Sequence, residues 1–89
     1  MKQIKLTGRE RSVLRMLDFS TGNSGEELLE STRLEADDLV SVLSGLMNPG
    51  YLEMTPYAEE AAIDTFRRAR FDVNPSYAQE IRAAMAERY

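Results

Sequence analysis

Arg67, Arg68 and Arg70 place three guanidinium groups within four residues, the densest cationic cluster in the chain. Cations spaced this way suit phosphate oxygens, because each contact to a nucleic-acid backbone releases condensed counterions. Arg11 and Arg15 lie about one helical turn apart and would add phosphate contacts from a single helix face. Carboxylates occur as the adjacent pairs Glu26-Glu27, Asp37-Asp38 and Glu59-Glu60. Neighbours on a helix point to different parts of its surface, so no such pair argues for an acid–base couple or a Mg²⁺ site. His and Cys are both absent, which removes the usual zinc ligand sets and the common nucleophile–base pairs. No Tyr, Lys or Ser is spaced to complete a catalytic group. The expectation is a binding protein, not an enzyme, with no cofactor and no metal.

The net charge of −4 is unevenly spread. Residues 1–17 carry five basic groups against Glu10, residues 18–64 carry eleven acidic groups against Arg33, and residues 65–89 carry five arginines against three acids. An acidic middle is therefore flanked by basic ends. The 89 residues suffice for one domain, which at this size buries roughly 60–65% of its surface on folding. No apolar run approaches the roughly 20 residues of a membrane span, and no signal-peptide pattern is present. With no cysteine to form disulfides, a cytoplasmic location is the expectation.

These charged groups need elements to hold them. Ile4 and Leu6 alternate with polar neighbours, the pattern of a short first strand. Thr7-Gly8-Arg9-Glu10 and Ser24-Gly25-Glu26-Glu27 are capping boxes, each a hydroxyl followed three residues later by a carboxylate. The first predicts a helix over 8–18 burying Val13, Leu14 and Leu17; the second opens a short helix burying Leu28 and Leu29. Over 35–47, Leu39, Val40, Leu43, Leu46 and Met47 recur at helical spacing. Asp37, Ser41, Ser44 and Asn48 form a continuous polar face opposite them. Asn48-Pro49-Gly50 ends that helix, and Leu52 and Met54 then alternate as a half-buried strand. Thr55-Pro56 pairs a cap with a proline, and Ala58, Ala61, Ala62, Phe66 and Ala69 fit one helix face, so part of 56–69 is expected to be helical. Residues 70–73 read as a second strand pairing with 51–54. Asn74-Pro75 then starts a terminal helix from Ser76 to about Arg88.

Residues 24–54 resemble the helix-turn-helix and first wing strand of winged-helix proteins of the bacterial transcription-regulator type. Leu28, Leu29, Leu34, Leu39, Leu43, Leu46, Gly50 and Leu52 carry the resemblance without a gap. It implies an α+β, mostly helical fold in a single domain over 1–89: a three-helix core within 1–74, a two-stranded wing with a long insertion, and a C-terminal helix over 75–89. Two positions depart from the pattern. Arg33 stands where the turn often has Gly, and Glu35 where the second helix usually has a Ser or Thr cap. The groove-reading positions of the family correspond to Ala36, Asp37, Ser41 and Ser44, none of them a common reader of purine edges.

The resemblance implies a DNA-binding regulator with weak sequence readout, held by Arg67, Arg68, Arg70, Arg11 and Arg15, with Ser41 and Ser44 in the groove. Its acidic 35–47 helix supports the alternative, a protein-interaction module that engages a partner through Asp37, Asp38, Ser41 and Asn48 or through the wing. Tyr77, Ile81 and Met85 form a strip on the terminal helix suited to homodimerisation, or to packing on the first helix.

Overall fold

Both capping boxes form. Thr7 Oγ1 accepts from the Glu10 N–H at 3.1 Å while Glu10 Oε1 accepts from the Thr7 N–H at 2.9 Å. Ser24 and Glu27 repeat the exchange at 3.1 and 3.0 Å. The computed structural model describes residues 4–86. The boxes start α1 (Gly8–Met16) and α2 (Gly25–Thr32). α1 is shorter than the predicted 8–18 because Leu17 turns extended to enter the core. Asp18 then caps the following turn, accepting from the Ser20 and Thr21 N–H groups.

Arg33 adopts the left-handed conformation, φ 61°, that the α2–α3 turn requires. The turn therefore keeps the geometry that Gly would serve, although it carries a bulkier residue. α3 (Ala36–Met47) follows with Glu35 at its N-cap, and Glu35 makes no side-chain cap bond. Glu35→Asp would put a shorter carboxylate within reach of the free N–H groups and keep the charge that favours the helix dipole. It should raise stability by about 0.5–1 kcal/mol in urea unfolding; an unchanged midpoint would show that this end is already satisfied. At the other end, Gly50 (φ 91°) donates to the Met47 carbonyl and Tyr51 to the Leu46 carbonyl. These two bonds are a Schellman stop.

β2 (Leu52–Thr55) and β3 (Arg70–Val73) pair antiparallel, Leu52 with Val73 through Thr55 with Arg70, close to the expected register. The expected strand over Ile4–Leu6 does not form. Ile4 is nonetheless buried, so the alternation marked a core contact and not a ladder. The third strand is instead β1 (Asn23–Ser24), and the antiparallel sheet has the order β1-β3-β2. Two polar residues have no hydrophobic period by which to be recognised.

The helical part expected within 56–69 is limited to a 3₁₀ turn over Phe66–Arg68. Thr55 is committed to β2 and cannot cap a helix. Ala61, Phe66 and Ala69 enter the core, whereas Ala62 is exposed and Ile63 is 55% exposed, so no helical stripe survives. After β3, Asn74 Oδ1 caps a 3₁₀ turn over Pro75–Tyr77 that leads into α4 (Ala78–Ala86). The predicted continuation of this helix to Arg88 lies outside the described residues.

The core gathers Leu14, Leu28, Leu39, Leu43, Phe66, Phe71 and Ile81, all fully buried. The fold is thus α+β, with four α-helices and a three-stranded antiparallel sheet among the described residues. Among the described residues no helix is long and apolar enough to cross a membrane.

Candidate partner-docking groove

The arginines that are adjacent in sequence separate in space. Arg67 and Arg68 are exposed on the 3₁₀ turn, which the buried Phe66 anchors against α2. The Arg67 guanidinium lies 5.9 Å from the Phe66 ring centroid. Arg70 is engaged elsewhere. Its Nε donates to the Thr21 carbonyl at 3.0 Å, and its terminal nitrogen donates to the Thr21 and Gly22 carbonyls. It thereby fastens the 18–23 turn to β3. In that turn the Asp18 carboxyl is held below its usual range, first by the Ser20 and Thr21 backbone N–H groups and only weakly by Arg70.

Arg15 borders a shallow hollow between α1 and α4, floored by Leu14, Leu17 and Met85 and crossed by Arg82, whose guanidinium lies 4.9 Å from the Phe19 ring centroid. Arg11 is half-buried on α1. The five arginines expected to hold DNA therefore divide among α1, β3 and the 3₁₀ turn.

The polar face of α3 divides as well. Asp37 and Ser41 are exposed. Asp38 lies 3.5 Å from Arg9 of α1, a surface pair of the kind that contributes about 0–1 kcal/mol. Ser44 Oγ accepts the Ala61 N–H at 3.1 Å, so the 56–69 segment is tied onto the C-terminal half of α3. Asn48 remains exposed. The strip Tyr77, Ile81 and Met85 is largely occupied within the chain. Ile81 is fully buried, α4 packs on α1, and Tyr77 meets Tyr51 edge-on with ring centroids 5.2 Å apart.

Tying the insertion to Ser44 creates a groove of about 910 Å³ between α3, β2 and residues 55–60. Ser44, Gly45, Met47 and Asn48 form its helical wall, and Leu52 to Thr55 form the strand wall. Glu53, Glu59 and Glu60 line it, and among the described residues no Lys or Arg does. Tyr57, 83% exposed, and the half-buried Met47 supply apolar surface. The C-terminal end of α3 adds its partial negative charge to the carboxylates. An acidic wall beside apolar surface suits a cationic, partly apolar ligand and repels phosphate. Glu53, Glu59, Glu60 and Tyr57 are absent from the site expected from sequence. Their signal was the continuation of the acidic segment from α3 through β2 into residues 56–60, which residue pairs taken singly do not reveal.

The chain matches no protein-family model, no curated protein and no solved structure. Its own geometry carries the functional reading.

Proposed function

We propose that the chain is a protein-docking module on a winged-helix-type scaffold, and that the α3–wing groove receives a basic segment of a partner protein. The helix-turn-helix of α2 and α3, followed by the β2–β3 wing, supports the scaffold. The observation that carries the docking role is the lining of the groove by Glu53, Glu59 and Glu60 with no cation among the described residues to balance them. A duplex laid against this half of α3 would bring phosphates to those carboxylates, while Arg70, the first residue of β3, is bonded to the 18–23 turn. Partner lysines or arginines would meet the glutamates, and an apolar partner side chain would cover Met47 and Tyr57. Charge complementarity of this kind sets the encounter rate and specificity more than the final affinity.

The test compares a capped peptide of alternating Lys and Val with a nonspecific DNA duplex, both at low salt, by calorimetry or fluorescence anisotropy. The peptide should bind, and the double variant Glu59→Lys, Glu60→Lys should weaken it by about tenfold or more, a change of about 1.4 kcal/mol. The duplex should not be retained. The opposite pattern restores the regulator reading: duplex binding that Arg67→Ala with Arg68→Ala weakens, its logarithmic salt slope falling by about 1.8 for two lost phosphate contacts, and a peptide that is ignored.

A further inference from the structure

The groove's strand wall is also the open edge of the sheet. In the order β1-β3-β2, β3 is central, and among the described residues β2 has a neighbour on one side only. The register decides which β2 backbone groups face outward. The Asn74 N–H bonds the Tyr51 carbonyl at 2.9 Å, one step beyond the Leu52–Val73 pair. In an antiparallel ladder this makes Leu52–Val73 and Met54–Phe71 the non-hydrogen-bonded pairs, and the residues between them the hydrogen-bonded ones. The N–H and C=O groups of Leu52 and Met54 consequently point away from β3. Among the described residues none of these groups has a hydrogen-bond partner. Both residues line the groove, and their side chains turn inward.

Resting on the docking reading above, we infer that the partner's basic segment binds as an added β-strand along the free edge of β2. Strand addition supplies main-chain hydrogen bonds for affinity and alternate side-chain positions for specificity. The walls of the groove match both faces of such a strand. Partner side chains on the inner face extend the row of Leu52 and Met54 and lie over Met47 at the end of α3. Those on the outer face come beside Glu53, within the roughly 4.5–5.5 Å separation of cross-strand neighbours, with Glu59 and Glu60 close along the same groove. A strand alternating apolar and cationic residues fits this pattern.

Charge selects a partner strand over a second copy of the chain. Pairing two β2 edges would bring Glu53 and the wing glutamates of both copies together, and like charges opposite one another are destabilising. β2 is also only four residues long, and Pro56 follows it directly. Shortness, charge and proline are features that keep an edge from pairing indiscriminately. The same carboxylates that repel another copy attract a cationic strand.

The experiment uses the full chain and three capped peptides: alternating Lys and Val, the same peptide N-methylated on its valines, and the same peptide N-methylated on its lysines. N-methylation removes backbone donors and leaves the charges in place. An added strand bonds through one edge, so one methylated peptide should bind at least about tenfold more weakly than the parent, and the other should match the parent. An antiparallel strand assigns the loss to the valine-methylated peptide, because the inner-face residues then pair with Leu52 and Met54. The parent peptide should also slow hydrogen exchange at the Leu52 and Met54 amides. If both methylated peptides bind as the parent does, or both lose equally, strand addition is overturned while docking in the groove stands. If the parent peptide does not bind, the docking reading falls and this inference falls with it.

Discussion

Phe66→Ala should cost about 3–5 kcal/mol, the range for truncating a fully buried phenylalanine. Phe66 is one of the largest side chains with no exposed surface, yet it lies in the irregular segment between β2 and β3. Its N–H bonds the Ala62 carbonyl at 2.8 Å, and its own carbonyl accepts from Ala69 at 3.1 Å. The carbonyl of Ala69 in turn receives the Gly25 N–H at 3.0 Å, at the start of α2. Emptying the Phe66 site would leave a cavity beneath this chain of bonds. For a domain whose total stability is about 5–15 kcal/mol, the loss would bring unfolding close to ambient conditions. Urea unfolding measures it, with Ile63→Ala as the companion. Ile63 is 55% exposed, so its truncation should fall within about 0.5 kcal/mol of wild type. Equal midpoints for the two variants would mean that the 56–69 segment is not part of the core. The docking groove depends on the same segment, because Ser44 holds it at Ala61. Peptide binding should therefore weaken in Phe66→Ala even where the variant remains folded.

Most of the scaffold was legible where local chemistry and hydrophobic period agreed. The capping boxes placed α1 and α2, the apolar stripe placed α3, and alternation placed β2 and β3 nearly in register. Agreement across propensity, capping and pattern is what makes a sequence specify one arrangement. The failures have particular causes. β1 is two polar residues whose strand geometry comes from β3, so nothing local marks it. Residues 56–69 imitate a helix because their alanines fall at helical spacing, but alanine offers little area to bury. Phe66 and the bond from Ala61 to Ser44 determine the path instead.

The candidate site was less legible, because it depends on which residues the insertion leaves available. Ser44 and Asn48 share a helix face in sequence, but Ser44 is bonded to Ala61 whereas Asn48 is exposed. Arg67, Arg68 and Arg70 share a cluster in sequence, but β3 directs Arg70 to the 18–23 turn while its neighbours stay on the 3₁₀ turn. The acidic groove requires the turn of the chain at 55–60 to bring Glu59 and Glu60 beside Glu53. No periodicity encodes that turn.

The two capping boxes also define the sharpest contrast in stability. Gly8 and Gly25 occupy the same position, the first residue after the N-cap, in α1 and α2. In sequence they are equivalent, and glycine is a poor helix former in both. Their surroundings differ completely. A Cβ on Gly8 would meet nothing within 4 Å, whereas one on Gly25 would lie 2.0 Å from the Phe66 carbonyl oxygen and 2.7 Å from its carbonyl carbon. Those are backbone atoms held by the buried Phe66 ring, so no rotamer change can relieve the overlap. Gly8→Ala should therefore stabilise the domain by about 0.4–1 kcal/mol, by restricting the unfolded chain. Gly25→Ala should destabilise it by about 3 kcal/mol or more, at or beyond the upper end for overpacking, because α2 and the 3₁₀ turn must separate and the Gly25–Ala69 bond is lost. Thermal melts of the two variants should move in opposite directions from wild type. A Gly25→Ala protein that melts with or above wild type would mean that α2 and the Phe66 turn do not make this close approach, and the anchoring of the 56–69 segment would have to lie elsewhere.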